Sequence, residues 1–469
     1  MERKELIKSW KEKNKLSKSY VHFDNRINST ISNIEKYITN PINIEKHSFY
    51  PFIHKVIKFN KYSRKKVCKP KIRDINYSSH IDRLIYSYYS QILNDTYNDY
   101  VIKNGTNENV IAYRNNFSKK NNNNIYFAKN VFDFIKEQEK CFIMVGDFSK
   151  FFDNLNHKYL KKQICEVLGV KVLSKDWYII FKNITKYVSY DLKDISEYLH
   201  ISEKKLKKKK RIFEPEEFRS FRKIKKIKQN KNDYGIPQGS AISAVLANVY
   251  MIEFDFLLKE YIKEKNGTYF RYSDDFIVII PLGKDEEFEN IEIEKVIKHI
   301  ESIEKSIPNL IIQKDKTENY IYNQGKLKCY KENTGKKAFL NYLGFTFDGK
   351  NIFIRDKTLT KYYYRMYKKI KCVNRCNRVS KKGNVISCSV LYDKYSIKQK
   401  ENSKGNFIDY VRRAEKIFGQ DAKYIKKVRA THLKKIKRRL KKVKPEIIKR
   451  RVLKKQEEFK KGLLQQMFI

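Results

Sequence analysis

The chain has 469 residues, with 103 Lys and Arg against 53 Asp and Glu, and therefore a formal net charge of +50 at pH 7. A surplus of positive charge this large favours a polyanionic partner, for which nucleic acid is the first candidate. The hydrophobic content of 41% excludes a disordered basic tail. No apolar run reaches the ~18 residues that span a bilayer, and the N-terminus lacks the apolar segment of a signal peptide, so we expect a cytoplasmic protein without membrane contact.

The sequence predicts four regions along the chain. Residues 1–49 are polar and helix-prone, which indicates an N-terminal helical extension. Residues 50–139 are basic and rich in aromatic side chains. Residues 140–356 combine short strands with helices, and they include a Lys-rich, insertion-like segment at about 171–233. Residues 357–469 are strongly basic and follow a mostly helical pattern.

The most informative local feature is a pair of adjacent carboxylates, Asp274 and Asp275, at a turn between the predicted strands Thr268–Tyr272 and Phe276–Ile280. Such a hairpin lifts carboxylates off the edge of a sheet, where they repel each other unless a cation lies between them. A further carboxylate, Asp147, ends an earlier strand that is apolar enough to be buried. Two strand-end carboxylate sites far apart in sequence are what a two-metal phosphoryl-transfer centre requires.

A turn and a long helix are predicted between these two carboxylate sites, from residue 234 to residue 262. Ser240 is the candidate N-cap of this helix. Apolar side chains recur at helical spacing, at Ile242, Val245, Leu246, Val249 and Ile252.

Five sequence blocks, taken together and in order, resemble the palm of reverse transcriptases. The blocks are GDFSKFFDNLNHKYL (146–160), GIPQGSAISAVLANVYM (235–251), FRYSDDFIVI (270–279), QKDKT (313–317) and NYLGFTF (341–347). Five ordered blocks are far more specific than a single Asp-Asp turn, and the resemblance covers roughly residues 50–365.

The resemblance implies an α+β fold of the right-hand polymerase type. The fingers would be residues 50–139, and the palm, with a small antiparallel sheet flanked by helices, would be residues 140–356. The basic helical region 357–469 would be the thumb, which follows duplex phosphates and carries little sequence information. The Lys-rich run Lys204–Arg211 is either a loop on bound RNA or a solvated charge cluster.

The resemblance also implies a catalytic centre. Asp147 and Asp274 would bind two Mg²⁺ ions, for which Mn²⁺ could substitute, with help from the backbone carbonyl of Phe148. Asp275 would complete the carboxylate cluster, either as a direct ligand or as electrostatic support. Lys316 matches a lysine near the departing pyrophosphate, for which a general-acid role and a salt bridge to the carboxylates both stay open.

Further residues would bind the incoming dNTP. Phe152 matches the ring that leaves no room for a 2′-hydroxyl, so we expect Phe152 at the sugar and Phe151 in the core. Gln238 would contact the nucleotide and the template, and Gly239 would let the backbone approach the base pair closely. Tyr272, beside the carboxylates, belongs to the same expected substrate-binding set.

Basic residues of the expected fingers would bind the triphosphate. Arg114 matches best the residue that clamps it, because a guanidinium suits bidentate phosphate binding. Lys71 or Arg73 would be the partner of Arg114.

Three stretches, KPKIRDINYSSHIDRLIYSYY (69–89), FSKFFDNLNH (148–157) and IPQGSAISAVLAN (236–248), are similar to the compact bacterial reverse transcriptases of the unknown-group class, many of which act in antiphage defence. The resemblance implies an RNA template, in particular a dedicated non-coding RNA, with a DNA product or RNA–DNA duplex as the other partner. A homo-oligomer or an accessory protein stays open. Two alternatives also stay open: a group II intron-type maturase, and untemplated or protein-primed DNA synthesis at the same site. A viral-type RNA polymerase is disfavoured by Phe152 and by the Gln238-Gly239 pair.

Overall fold

The computed structural model describes residues 3–13, 18–27, 30–59, 70–114, 123–283, 286–331, 337–380, 383–386, 388–396, 406–440 and 444–467. The chain divides into two compact units. The first unit comprises Met1–Lys119 and Phe142–Asn319, and the second comprises Lys120–Cys141 and Tyr320–Ile469.

The described residues form helices joined by short strands. The helices are α1 (Arg3–Lys13), α2 (Ile31–Ile38), α3 (Pro41–Glu45), α4 (His80–Lys103), α5 (Asn124–Glu137), α6 (Phe151–Asn154), α7 (His157–Leu168), α8 (Lys175–Thr185), α9 (Leu192–Tyr198), α10 (Glu203–Leu206), α11 (Pro215–Ile224), α12 (Ser243–Tyr250), α13 (Ile252–Glu264), α14 (Glu286–Ser306), α15 (Asp356–Arg375), α16 (Cys388–Tyr395), α17 (Phe407–Phe418), α18 (Lys423–Arg439) and α19 (Pro445–Met467). The strands are β1 (Phe52–Phe59), β2 (Lys71–Tyr77), β3 (Lys140–Asp147), β4 (Val188–Asp191), β5 (Lys228–Gln229), β6 (Thr268–Tyr272), β7 (Asp275–Pro281), β8 (Glu318–Asn323), β9 (Lys326–Cys329), β10 (Leu340–Tyr342), β11 (Phe345–Phe347) and β12 (Ile352–Ile354). Among the helices described, none is long and apolar enough to cross a bilayer.

One sheet of the first unit has the strand order β2-β1-β4-β5. Strands β1 and β2 are antiparallel, with Ile53 opposite Tyr77, and β4 pairs with β1 in parallel, with Ile53 opposite Tyr190. The segment expected as an insertion at about 171–233 therefore contributes two strands to a sheet that begins at β1. The sequence does not reveal that this segment joins the sheet, because its composition is dominated by lysines. Its few apolar residues form the core.

A hydrophobic cluster packs this segment onto the rest of the first unit. Its buried members include Phe23, Ile53, Tyr190, Leu206 and Phe213. Leu206 lies inside the Lys-rich run Lys204–Arg211, and most of the lysines around it are exposed. The run is thus anchored by one apolar side chain, with its charges directed to solvent.

The second sheet carries the predicted carboxylates, and in the first unit β6, β7 and β3 lie side by side in that order. Strands β6 and β7 form the predicted antiparallel hairpin, from Thr268 opposite Ile279 to Tyr272 opposite Asp275. Strand β7 is buried from Phe276 to Ile280, which explains its continuous apolar sequence.

The predicted long helix is interrupted. It forms as α12 and α13, with a break at Met251, and α12 begins at Ser243 with Ile242 at its N-cap. The expectation that Ser240 caps this helix is wrong, since Ser240 precedes the helix start by three residues. Ser243 binds the turn instead, because its hydroxyl donates to the carbonyl of Pro237 at 2.7 Å. The five apolar positions predicted for this helix face are all buried.

The second unit is built on the antiparallel sheet β10-β11-β12 and contains the hairpin β8–β9. Its core stacks aromatic rings, with Phe132 of α5 against Phe347 and Phe418. Helices α15 and α18 pack on β12, and the mostly helical region expected from residue 357 begins with α15 at Asp356. In the strongly basic helix α18, the apolar side chains of Ile425 and Ile436 are buried.

Candidate active site

The hairpin turn between β6 and β7 presents Asp274. Because Tyr272 pairs with Asp275, the loop consists of Ser273 and Asp274 alone. Ser273 has a φ of 62°, and a positive φ at the first loop residue is typical of the tight turns that match strand twist. The turn is therefore as tight as a hairpin allows, and it places Asp274 at the tip.

Asp147 and Asp274 lie together at this tip. The residue after Asp147 connects the two, since the N–H of Phe148 donates to the carbonyl of Asp274 at 3.0 Å. Burial raises the pKa of the Asp274 carboxyl above its ordinary value, and the charge of Asp147 raises it further, against the opposing effects of Ser273 and Lys71. Two partly buried carboxylates that are close together repel each other, and a cation bound between them reduces this repulsion.

Lys316 lies beside the pair. Its Nζ is 2.5 Å from Oδ2 of Asp147, and the Lys316 side chain is 54% exposed. A backbone hydrogen bond of 2.8 Å from Gln313 to the carbonyl of Asp147 holds the segment of Lys316 against β3. The expected salt bridge is present, and the general-acid role of Lys316 stays a prediction.

Asp275 is placed differently from the other two carboxylates. It is exposed and belongs to the ladder of β7 rather than to the loop. Within the described part of the chain, no group of three or more His, Cys, Asp or Glu side chains could hold a metal ion. Asp275 adjoins Asp274 from the first position of β7, and its role, as a direct ligand or as electrostatic support, stays a prediction.

The donor chemistry of this pair fits Mg²⁺. Carboxylate and backbone carbonyl oxygens are the ligands that this hard cation prefers, and protein Mg²⁺ sites often use one or two carboxylates with substrate phosphates. Asp147 and Asp274 supply the carboxylates. The side chain of Phe148 is buried against Phe151, Phe254 and Phe276, which fixes the backbone whose carbonyl is the expected third ligand.

Phe151 and Phe152 differ in burial as expected. Phe151 is buried and Phe152 is half-buried, on the short helix α6 that follows β3. The carbonyl of Phe152 accepts a 2.9 Å hydrogen bond from the N–H of Ile236, which joins α6 to the turn before α12. The role of Phe152 at the sugar stays a prediction.

The turn before α12 is held against β2. The N–H of Asn76 donates to the carbonyl of Gln238 at 2.7 Å. Gly239 has a φ of 114°, and a Cβ there would lie 2.7 Å from the carbonyl oxygen of Asn76. Only glycine fits this close approach of two backbones, so Gly239 places Gln238 beside β2.

Lys71 and Arg73 both lie on β2 and are exposed. The positive charge of Lys71 opposes the rise in the pKa of the Asp274 carboxyl. The guanidinium of Arg73 lies 5.7 Å from the ring centroid of Phe59. Both cations are thus available to a ligand.

Arg114 does not fit its expected role as a triphosphate clamp. Its side chain is buried, and its guanidinium donates to Oδ1 of Asn98, to the carbonyl and Oδ1 of Asn107, and to the carbonyl of Val110, at 2.6 to 3.0 Å. Four of the five N–H donors of a guanidinium are therefore occupied by protein oxygens. Arg114 shapes the segment between α4 and residue 114, and a phosphate would have to displace these contacts.

A buried ion pair beneath the hairpin was not predicted from the sequence. Arg271 and Asp255 are both almost fully buried, and the guanidinium donates to both carboxylate oxygens at 2.7 and 2.6 Å. Arg271 also donates to the carbonyl of Ser273 at 3.0 Å, and so holds the loop that carries Asp274. The available signal was strand alternation, which puts Arg271 on the same face as the buried Tyr269.

An α+β fold with paired carboxylates at strand ends defines a polymerase palm, the nucleotidyl-transferring part of right-hand polymerases. Residues 63–347 match the family described as reverse transcriptase (RNA-dependent DNA polymerase). This match covers more than half of the chain, so the chain belongs to the reverse transcriptase family, whose enzymes are RNA-directed DNA polymerases and hence nucleotidyltransferases. No curated protein matches the sequence.

Several solved structures are similar to the chain. A telomerase from Candida tropicalis, truncated from its C-terminal domain, is 12% identical with a TM-score of 0.39, and the match covers 68% of this chain and 59% of that one. Apo telomerase from the same organism is 12% identical with a TM-score of 0.41, covering 91% and 67%. A Candida albicans telomerase in complex with a TWJ fragment of telomeric RNA is 14% identical with a TM-score of 0.36, covering 91% and 64%. The chain thus spans about three fifths to two thirds of the length of these structures.

Proposed function

We propose that the chain makes DNA on an RNA template by nucleotidyl transfer at Asp147 and Asp274. The observation that carries this proposal is the meeting of these two carboxylates from separate strands, close enough for the charge of Asp147 to raise the pKa of Asp274. Membership of the reverse transcriptase family supplies the substrate class.

Asp147, Asp274 and the carbonyl of Phe148 would hold two Mg²⁺ ions, for which Mn²⁺ could substitute. When bound, these ions supply Lewis-acid stabilisation of the attacking and leaving oxygens. Asp275 adds negative charge from the adjoining strand. Lys316, paired with Asp147 at 2.5 Å, would donate a proton to the departing pyrophosphate or offset its negative charge.

The nucleotide would lie between the carboxylate pair and β2. Lys71 and Arg73 are exposed on β2 and would bind the triphosphate. Phe152 would close over the sugar and exclude a 2′-hydroxyl. Gln238, held beside β2 through its backbone, would contact the base pair, and Tyr272 would contact the nucleic acid at the hairpin.

For the biological setting we propose a dedicated non-coding RNA as the template and antiviral defence in a bacterial cytoplasm as the role. The support is the similarity of three sequence stretches, 69–89, 148–157 and 236–248, to the unknown-group class. The formal charge of +50 also supports a large polyanion, such as RNA, as the partner.

The test uses the protein purified with whatever nucleic acid remains bound. It is incubated with Mg²⁺ and labelled dNTPs or NTPs, and both the bound RNA and the product are sequenced, with Asp274→Ala as the control. DNA that is made only by the intact enzyme and is complementary to one recurrent RNA supports the proposal. DNA of simple sequence without a matching template indicates untemplated or protein-primed synthesis, and heterogeneous RNA without product indicates the maturase alternative.

A further inference from the structure

Tyr113 is an exposed aromatic residue with an uncommon backbone. Its side chain is 49% exposed and its φ is 58°. A bulky residue in the left-handed region is a genuine outlier, and such strain costs on the order of 1–3 kcal/mol. The surrounding structure must therefore hold Tyr113 in place.

Three buried side chains supply this support. Asn94 donates from Nδ2 to the carbonyl of Tyr113 at 2.7 Å, and Asn248 donates to the carbonyl of Ala112 at 2.8 Å. Arg114, the next residue, donates to the carbonyl of Val110 at 3.0 Å. Polar groups that are buried and bound to backbone carbonyls fix the chain path more firmly than solvent-exposed contacts do.

The same segment is joined to the edge of β6. The N–H of Ile111 donates to the carbonyl of Arg271 at 3.1 Å, and the N–H of Arg271 donates to the carbonyl of Asn109 at 2.8 Å. Arg271 is also the residue whose guanidinium holds the carbonyl of Ser273. The segment that carries Tyr113 and the hairpin that carries Asp274 are thus both held by hydrogen bonds of the buried Arg271.

The ring of Tyr113 lies next to the hairpin on the side away from Asp147. Its centroid is 6.5 Å from that of Tyr272, with 44° between the ring planes. The strand order β6-β7-β3 puts the segment of Tyr113 on the free edge of β6, with β7 between β6 and the strand of Asp147. Phe152 and Lys71, proposed for the nucleotide, belong instead to the helix α6 that follows the strand of Asp147 and to β2.

We propose that Tyr113 stacks on a nucleobase of the bound primer–template duplex beside Tyr272. This inference rests on the proposed function and adds a duplex-binding residue to it. An exposed ring on a backbone that is fixed by buried hydrogen bonds loses little entropy when a base stacks on it. Every nucleobase has a π-face, so such stacking does not depend on the base sequence. A ring across the hairpin from Asp147 meets the duplex rather than the incoming nucleotide.

The test measures equilibrium binding of a DNA primer annealed to an RNA template, by fluorescence anisotropy without dNTP. Tyr113→Ala should weaken binding by about five- to a hundredfold, the range expected for one lost base–aromatic stack. Tyr113→Phe keeps the ring and should stay within about twofold. Tyr178→Ala, which removes a similarly exposed ring on α8, is the matched control and should also stay within about twofold.

A fourth variant separates stacking from backbone strain. Tyr113→Gly removes the ring but relieves the positive φ, so it should bind as weakly as Tyr113→Ala while its thermal unfolding midpoint is higher than that of Tyr113→Ala. Wild-type affinity in both variants overturns the inference. So does an equal loss in Tyr113→Phe, or a loss confined to the KM of the dNTP.

Failure of the proposed function would look different. Binding is measured without turnover, and Asp274→Ala should bind the duplex as the unsubstituted protein does while incorporating no nucleotide. Inactivity of the unsubstituted enzyme together with a Tyr113-dependent affinity would reject the polymerase proposal and leave the stacking contact standing. An unsubstituted protein that does not bind the duplex would reject the stacking contact.

Discussion

At the scale of single residues, the adjacent aromatic side chains of Phe151 and Phe152 differ in burial. Phe151 is buried against Phe148, whereas Phe152 keeps part of its ring accessible on α6. Phe152→Ala should therefore cost little stability but should raise the use of ribonucleotides relative to deoxynucleotides by at least about tenfold, since one lost steric contact is worth about 1–3 kcal/mol in discrimination. Competing dNTP and NTP incorporation measures this ratio, and an unchanged ratio would place the sugar selection elsewhere.

Two arginines of the first unit give an opposed pair of predictions. Arg73→Ala should raise the KM for dNTP by about ten- to a hundredfold with little change in the unfolding midpoint, because this exposed cation loses its phosphate contact and, within the protein, a surface contact with the ring of Phe59. Arg114→Ala should lower the free energy of unfolding by about 3 kcal/mol, because it leaves buried oxygens of Asn98, Asn107 and Val110 without their donor. Steady-state kinetics and thermal unfolding of both variants test these two predictions. A raised KM in Arg114→Ala together with a stability loss in Arg73→Ala would indicate that Arg114 is the triphosphate clamp.

The residues of the site were predictable to different degrees. Asp147, Asp274 and the burial of Phe151 followed from local patterns, because strand ends and tight turns are short-range features. The buried state of Arg114 and the pair of Arg271 with Asp255 depend on contacts between distant segments. No pattern of charge along the chain distinguishes a cation that binds a ligand from one that forms hydrogen bonds or ion pairs within the protein.

At the scale of elements, the neighbouring strands β3 and β7 are tightly packed against each other. A Cβ added at Gly146 would lie 2.3 Å from the ring of Phe276 on the neighbouring β7. Gly146→Ala should therefore destabilise the protein by about 1–3 kcal/mol through overpacking and should lower activity by displacing Asp147. Gly283→Ala is the matched control, because a Cβ there meets nothing within 4 Å. Urea unfolding of both variants checks the difference, and equal stability would contradict this packing of β3 on β7.

Element predictions held best where one period dominated the sequence. The hairpin β6–β7 follows from two short apolar runs on either side of a turn, and the buried positions of α12 and α13 follow from helical spacing. The pairing of β4 with β1 was not predictable, since it joins strands more than 130 residues apart and depends on a core cluster within a Lys-rich stretch. The same composition made residues 171–233 resemble an insertion.

At the scale of the whole molecule, the net charge of +50 dominates any association with nucleic acid. A basic cavity of about 790 Å³ in the second unit, lined by Arg412, Lys416, Lys423 and Lys426 among others, shows one place where such charge is concentrated. The affinity for a primed RNA template should fall steeply with salt, with a slope of log K against log salt of roughly −0.7 to −0.9 per phosphate contacted.

The cavity allows a specific form of this prediction. A double substitution, Lys423→Ala with Lys426→Ala, should make that slope shallower by about one to two, because each lost phosphate contact reduces it by about one. Lys175→Ala with Lys193→Ala, at exposed positions of helices α8 and α9 in the first unit, is the charge-matched control. Binding isotherms at several salt concentrations measure the slopes, and a slope unchanged by the cavity variant would show that phosphates bind elsewhere.

The central claim is that Asp147 and Asp274 together perform nucleotidyl transfer. The most direct measurement is single-turnover incorporation of one dNTP into a DNA primer on an RNA template with Mg²⁺. Asp194→Ala serves as a control for charge, since Asp194 forms only a surface pair with Lys225 at 3.8 Å. We predict that Asp147→Ala and Asp274→Ala each slow incorporation at least about a thousandfold with unchanged duplex affinity, whereas incorporation within about tenfold of the unsubstituted enzyme in either variant would contradict the account.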